Sequence, residues 1–341
     1  MTSGDHTMRG LASDAYQGVR VLVTGGCGFI GAHLVDALVD LGADVTVLDD
    51  LSNSDTEHLA QQIDKRPDRV RFVYASVLDP EALQQACEDR ELCFHFAAIA
   101  SVPASIAYPQ RTHDVNATGA VRVIEACRRA GVKRVVHAST SAVYADGEEP
   151  KLEDEGVDPA SPYGASKLGA ETALASHSRS YPIDAVSLRF FNVFGPRQRD
   201  DSAYAAVIPA FVASMQRGEA CTILGDGGAT RDFIPVREVV RACLLAGVRR
   251  EPFRGGAINV GSGTATSVRT LFETLRDLFA RPGAQARNAP EREGDARHSV
   301  ASVARAEREL GFACDVSLQE GLRELLVSKG VIPESQPSRG G

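Results

Sequence analysis

Tyr163 and Lys167 stand four residues apart in SPYGASK, so any helix that holds both presents them on one face. A phenol with a pKa of about 10 is a poor base at neutral pH. An adjacent ammonium favours the phenolate, which can then take the proton of a hydroxyl group. HASTSAVYA carries a matching hydroxyl cluster, Ser139, Thr140 and Ser141, in which Thr140 is suited to hydrogen-bond the hydroxyl that loses its proton. A tyrosine four residues before a lysine is common by chance. Its place in the chain gives this one meaning, because a glycine loop and an acid come before it.

The glycine loop is VLVTGGCGFIGAHLVDAL, with Gly25, Gly28 and Gly31 at three-residue spacing between a strand and a helix. The first permits a tight turn, the second lets backbone approach a pyrophosphate, and the third allows close helix packing. The helix N-terminus offers unpaired N–H groups to the anion. Asp49 ends the second strand, where a carboxylate accepts hydrogen bonds from the adenosine ribose hydroxyls. Its charge repels the 2′-phosphate of NADP, so NAD is the expected cofactor. Asp50 reads as the turn residue beside it, and Cys27 as a small filler inside the loop. A hydride can then leave to NAD as Tyr163 takes the hydroxyl proton, with Lys167 lowering the phenol pKa and binding the nicotinamide ribose.

Five short apolar runs, at 19–24, 44–49, 70–75, 91–97 and 133–139, alternate with stretches whose apolar residues recur every three and four positions. That pattern predicts βαβ units whose strands, apolar on both sides, lie buried between helix layers. The expected fold is α/β: a Rossmann-like doubly wound parallel sheet with a smaller C-terminal substrate-binding lobe and the ligand at the C-terminal ends of the strands. After about residue 190 the alternation loosens into a long polar connection, then a helix at about 204–217, a strand at CTIL and another at GAINVG. The predicted division is a tail over 1–18, a cofactor domain over 19–190 that receives later segments, a lobe over 191–330 and a tail over 331–341.

A chain of 341 residues is long enough for two lobes, and 43% hydrophobic against 24% charged residues is the balance of a soluble globular protein. The net charge of −8 argues against a nucleic-acid groove. No apolar stretch reaches the roughly 18 residues of a membrane span, and no cationic start leads into an apolar run as in a signal peptide. Seven dispersed cysteines, without CxxC pairs or His partners at zinc spacing, read as reduced thiols of a cytoplasmic protein with no metal.

With these blocks in this order the chain resembles the extended short-chain dehydrogenase/reductases that modify nucleotide sugars, from about Val19 to about Phe312. TGGCGFIG, HFAAIASVPAS, NATGAVRVIEAC, HASTSAVYA, SPYGASK, LRFFNVFGPRQ, GDGGATRDF, INVGSG and REGDARHS all look like that family's blocks. The resemblance implies that Thr140, Tyr163 and Lys167 are catalytic. It implies that NAD is held by Gly25, Gly28, Phe29, Ile30, Gly31, Asp49, Asn53, Ser76, Val77, Phe96, Ala97, Ala98, Asn116, Ser139, Tyr163, Lys167 and Phe190. NVFGPRQ, YAAVIPAF and REGDARHS are most similar to the UDP-hexose 4-epimerases, in particular those acting on UDP-N-acetylglucosamine (UDP-GlcNAc). Carried over, Asn192, Arg231 and Arg292 hold the diphosphate, and Val207 and Ile208 line the uridine pocket. Ser101, Ser141 and Phe190 flank the sugar, and Tyr163 also touches it. The family further implies a homodimer through the helices that contain Asn116 and Tyr163.

Two positions separate reactions and sugars. Dehydratases and decarboxylases of the family carry an acid after the hydroxyls, where this chain has Ser141 and Ala142, so oxidation and re-reduction at C4 is the expected reaction. Ser299 stands where glucose-restricted epimerases hold a tyrosine, and a small residue leaves room for a 2-acetamido group. Ser76 in ASVLD replaces the acid that contacts adenine. The alternatives are a UDP-glucose or UDP-uronic acid 4-epimerase, another dehydratase or reductase of the family, and, in a different class, a silent NAD-binding sensor. Intact Thr140, Tyr163 and Lys167 weigh against the sensor.

Overall fold

A computed structural model describes residues 9–145, 150–199, 207–290 and 297–333. The first part of the chain alternates strands and helices: β1 (Arg20–Thr24), α1 (Phe29–Asp40), β2 (Asp44–Asp49), α2 (Glu57–Lys65), β3 (Val70–Tyr74), α3 (Pro80–Cys87) and β4 (Leu92–His95). There follow α4 (Val102–Ala107), α5 (Pro109–His113), α6 (Gly119–Ala130), β5 (Arg134–Thr140), α7 (Pro162–Ser180) and β6 (Asp184–Phe190). The remainder comprises β7 (Asn192–Phe194), α8 (Val207–Arg217), β8 (Cys221–Leu224), β9 (Thr230–Arg231), β10 (Phe233–Pro235), α9 (Val236–Val248) and β11 (Gly256–Val260). It closes with β12 (Thr266–Ser267), α10 (Val268–Leu278), β13 (Ala286–Ala289), β14 (His298–Ser299), α11 (Ala304–Leu310) and α12 (Leu318–Ser328).

Seven strands form one parallel sheet in the order β11-β6-β5-β4-β1-β2-β3. All seven residues of β5 are buried, as a central parallel strand covered on both faces requires. One face packs on α1 and α9 through Leu34, Leu38, Val239 and Leu244. The other packs on α3, α6 and α7 through Leu83, Val123, Ile124 and Leu174. A second lobe has its own core of Phe211, Met215, Ile223, Phe272 and Leu325. The GAINVG strand, β11, therefore returns to the edge of the main sheet beside β6, and α9 returns with it. The order in which strands are added reverses between β1 and β4, and a crevice opens outside the carboxyl ends of the strands at such a reversal.

The tail expected over 1–18 is corrected for residues 9–18, which belong to the fold. Tyr16 is fully buried and its hydroxyl donates to Leu244 O at 2.7 Å, while Leu11 and Ala15 pack on the same core. Arg9 pairs with Asp315 at 2.7 Å. At the other end, Val331 and Ile332 pack on the second lobe's core, so the expected C-terminal tail does not begin at 331. The predicted helix at 204–217 is α8, described from Val207 onward. Because Tyr16 fills space under α9, Tyr16→Ala is expected to lower unfolding free energy by about 3–5 kcal/mol in equilibrium urea denaturation. A loss below about 1 kcal/mol would mean that the segment contributes little to the core.

Candidate active site

Two backbones meet closely at the sheet's reversal point. Gly25 follows β1 with φ +71°, and a Cβ there would lie 2.5 Å from Ala97 N and 2.7 Å from Phe96 C in the segment after β4. Only glycine satisfies both the left-handed turn and that approach. The α1 N-cap, Gly28, makes no side-chain cap, and the first turn holds no acid, so its N–H groups are open to an anion. Those N–H groups suit the diphosphate of a dinucleotide. Asp49 is buried at the end of β2 and accepts from Cys27 N at 3.0 Å, Leu51 N at 2.9 Å and Ser54 Oγ at 3.1 Å. It thus holds the glycine loop in addition to any ribose it contacts. Asp50 caps Ser52 N, as expected of a turn residue.

The hydroxyl and phenol groups meet on the far side of β4. Pro162 starts α7, and the Ser161 side chain caps Gly164 N. A Cβ at Gly164 would lie 2.3 Å from Ala142 O, so α7 can press its first turn onto the 141–143 turn. That approach brings the Tyr163 phenol near enough to the Thr140 hydroxyl for the hydroxyl to act on its pKa. Burial raises the Tyr163 pKa and the Thr140 hydroxyl pulls it back, so the phenol is protonated at neutral pH. The expected depression of its pKa rests on the Lys167 ammonium together with a positive nicotinamide ring, and Lys167 is not among the causes of the shift in the chain by itself. Lys167 is buried, and its Nζ donates to Ala138 O at 2.7 Å. Burial pulls Lys167 down from 10.5 to about 8, opposed by the Glu171 carboxylate.

Glu171 stands one further turn along α7 and was not singled out from sequence, although Tyr163, Lys167 and Glu171 share a four-residue spacing. It accepts from the Ser139 hydroxyl and forms a buried pair with Arg189 at 2.8 Å. Arg189 also donates to the Tyr144 hydroxyl at 2.9 Å, which in turn donates to Asn259 Oδ1 at 2.6 Å. Ser139 therefore faces Glu171 and supports Lys167's neighbour.

Other candidates sort by where their side chains lie. A cleft of about 1110 Å³ is lined by Gly28, Phe29, Asn53, Ala98, Ser101, Asn192, Val207, Ile208 and Arg231 among others. Among the described residues its wall holds Arg111, Arg197, Arg199, Arg231 and Arg297 against one acid, Asp55, a local cationic field in an acidic chain. A smaller cavity of about 510 Å³ holds Ser76 and shares Tyr108 and Arg111 with the cleft. Phe96 stacks on Phe190 at 6.0 Å, and Ala97 N meets Thr24 Oγ1. Ile30 packs on the sheet core, and Val77 is buried in the opposite core, so neither side chain lines the cleft. The buried amide of Asn116 accepts from Ile99 N and donates to Ile99 O and Ser166 Oγ. Thr140, Ser141, Tyr163 and Lys167 are not among the cleft-lining residues. They are tied to its wall through Asn116 and through Ser105, which accepts from Tyr163 N. Ser299 pairs with Arg231 across β14 and β9, and Arg292 lies outside the described residues.

Asp232 gathers three of these candidates. Its peptide oxygen accepts from both nitrogens of Asn192, and its N donates to Ser299 O. Its buried carboxylate accepts from Ser262 N, Ser262 Oγ, Gly263 N and Ala301 N. Arg231 is thereby held at the cleft while its neighbour is anchored in the second lobe.

Residues 21–261 match the model of the NAD dependent epimerase/dehydratase family. The chain belongs to that family. It is 39% identical over 308 residues to a UDP-glucose 4-epimerase of Mycolicibacterium smegmatis, covering 89% of this chain and 96% of the relative. The structure of a UDP-GlcNAc 4-epimerase from Methanobrevibacter ruminantium M1, solved with UDP-N-acetylmuramic acid, superposes with a TM-score of 0.86 at 37% identity, over 92% of this chain and 98% of that one. A dTDP-glucose 4,6-dehydratase from Streptomyces venezuelae, solved with NAD, gives a TM-score of 0.83 at 31% identity, over 92% and 97%. This member of the epimerase/dehydratase family is thus NAD-dependent, with UDP-sugar 4-epimerases among its relatives and dehydratases beside them. Among the described residues no helix is long and apolar enough to cross a membrane.

In this family member the charge on Lys167 should be directly measurable, because the chain has only five lysines. In cofactor-free protein, lysine Cε NMR is expected to show one resonance titrating near pH 8, absent from Lys167→Met. The folded state binds this proton less tightly than the unfolded chain, so the group makes stability rise as pH climbs from about 8 to 10.5. A Lys167 resonance that stays cationic to pH 10 contradicts the assignment.

Proposed function

We propose that the protein is an NAD-dependent UDP-hexose 4-epimerase that interconverts UDP-GlcNAc and UDP-N-acetylgalactosamine (UDP-GalNAc) through a transient 4-keto sugar. The observation that carries this reading is a phenol and hydroxyl pair with no free acid beside it among the described residues. Ala142 stands where a second proton-transfer group would be needed for elimination. The carboxylate that does lie behind the site, Glu171, is closed off by Arg189 and Ser139. Oxidation and re-reduction at one carbon needs only one proton shuttle.

In this mechanism the bound cofactor supplies reversible hydride acceptance at C4. Tyr163 takes the C4 hydroxyl proton and gives it back, and Thr140 holds both oxygens in line. Lys167 keeps a positive charge under the phenol as it ionises. Asn192 and Arg231 clamp the diphosphate, Val207 and Ile208 hold the uracil, and Ser101 and Ser141 touch the sugar loosely enough for it to turn over. Ser299, the register partner of Arg231, is the small residue that in this reading leaves room for the 2-acetamido group. A homodimer through α6 and α7 belongs to the same reading, supported by the exposed Val121 on α6. The seven free cysteines suit a reducing compartment such as the cytoplasm.

Incubation with UDP-GlcNAc and with UDP-glucose separately, without added NAD, is expected to yield UDP-GalNAc from the first. Galacto product from neither sinks the epimerase reading, and a 4-keto-6-deoxy product installs a dehydratase. Tyr163→Phe is expected to lower kcat by about 10²–10⁴-fold with UDP affinity retained. Ser299→Tyr is expected to lose the acetylated sugar while keeping UDP-glucose; undiminished turnover of UDP-GlcNAc removes the specificity argument.

A further inference from the structure

The NVFGPRQ block contains two residues with unused hydrogen-bonding atoms on the cleft wall. Among the described residues five buried side-chain polar atoms lack a partner, and two of them are Arg197 Nη1 and Gln198 Oε1. Both residues line the cleft. Leaving a buried donor or acceptor unmet is costly, so orphan atoms on two consecutive cleft-lining residues point to a ligand that meets them. A cationic donor beside a neutral acceptor fits an anion flanked by hydroxyls, which is the chemistry of a nucleoside diphosphate.

The loop that carries them is held in an unusual way. Arg197 has φ +66°, in the left-handed region that a non-glycine residue seldom adopts. It is kept there by two side chains of α1: Asp36 pairs with Arg197 Nη2 at 2.6 Å, and His33 Nε2 donates to Pro196 O at 3.0 Å. On its other side Gln198 Nε2 donates to Val193 O in β7, next to Asn192. The loop thus joins the helix whose N-terminus faces the cofactor's diphosphate to the strand that carries a candidate ligand of the sugar nucleotide. Such strain persists where the surroundings over-determine it, often at ligand clamps.

We infer that Arg197 is a ligand of the NAD diphosphate, with Gln198 accepting from a neighbouring hydroxyl, and that through this loop cofactor occupancy raises affinity for the sugar nucleotide. The coupling half rests on the reading of the cleft as a UDP-sugar site; the cofactor half does not. The sugar nucleotide also carries a diphosphate, and attachment of the loop to α1 is what favours NAD.

The test uses titration calorimetry on NAD-stripped protein with NAD and with UDP as separate probes. Arg197→Met is expected to weaken NAD by 10-fold or more, to leave UDP binding to the NAD-free protein unchanged, and to abolish the gain in UDP affinity that NAD produces in the parent. Asp36→Asn, which leaves the guanidinium in place but loosens it, is expected to give a smaller loss in the same direction. NAD affinity unchanged in a folded Arg197→Met protein, judged by an unchanged melting temperature, overturns the inference. So does UDP affinity that falls equally without NAD, which would hand the residue to the substrate. Should Arg197→Met melt early, Arg197→Gln serves in its place with the same outcomes. If UDP fails to bind even the parent, the sugar-nucleotide reading fails while the NAD arm still reports on Arg197.

Discussion

A lysine ammonium shut away from water has to be held by protein atoms, and much of the structure can be understood as what holds Lys167. Its charge sits between the Ala138 carbonyl and the field of Glu171. Glu171 cannot be left as a lone buried carboxylate, so it is matched by Arg189 from β6 and by the Ser139 hydroxyl from β5. Arg189 in turn engages Tyr144, and Tyr144 engages Asn259 on the last strand of the sheet. Breaking such a buried pair by deleting one partner costs about 3–5 kcal/mol, because the other charge stays behind. The chain of partners stitches α7 to β5, β6 and β11, and so fixes where the phenol one turn before Lys167 stands.

Close backbone approach does the complementary work. Gly25 against Ala97 and Gly164 against Ala142 are contacts no side chain could share. The first brings the glycine loop to the segment after β4, and the second brings Tyr163 to Thr140. Charge holds the lysine, while missing side chains let the phenol and the anion-binding turn come near enough to matter. Asp232 repeats the principle in the second lobe, where one buried carboxylate gathers Ser262, Gly263 and Ala301 and its backbone fixes Asn192.

The sheet was legible because parallel strands buried on both faces must be apolar throughout, and the five early runs coincide with β1 to β5 within a residue or two. The glycine spacing, Asp49, the hydroxyls and the tyrosine and lysine were legible for the same kind of reason: each type is demanded by local chemistry. Residues 9–18 were not, because a polar stretch gives no sign that one tyrosine in it will fill a gap under a helix more than 200 residues away. The side chains of Asn116 and Ser139 find partners in Ile99, Ser166 and Glu171, which no local pattern marks. A side chain's donors and acceptors can be counted from sequence; the direction in which they point cannot.

By itself, then, the sequence determined the layer order, the kind of cofactor and the candidate catalytic residue types, since those depend on periodicity and on chemistry within a few residues. Only the tertiary structure decided which groups are in use. It showed that Asp49 braces the glycine loop and that Glu171 is locked behind the lysine. It also showed that Arg197 and Gln198, both in the cleft wall, each keep a buried polar atom without a partner. Those facts rest on partners far apart in the chain, and burial sets how strongly each unmet or paired group is felt.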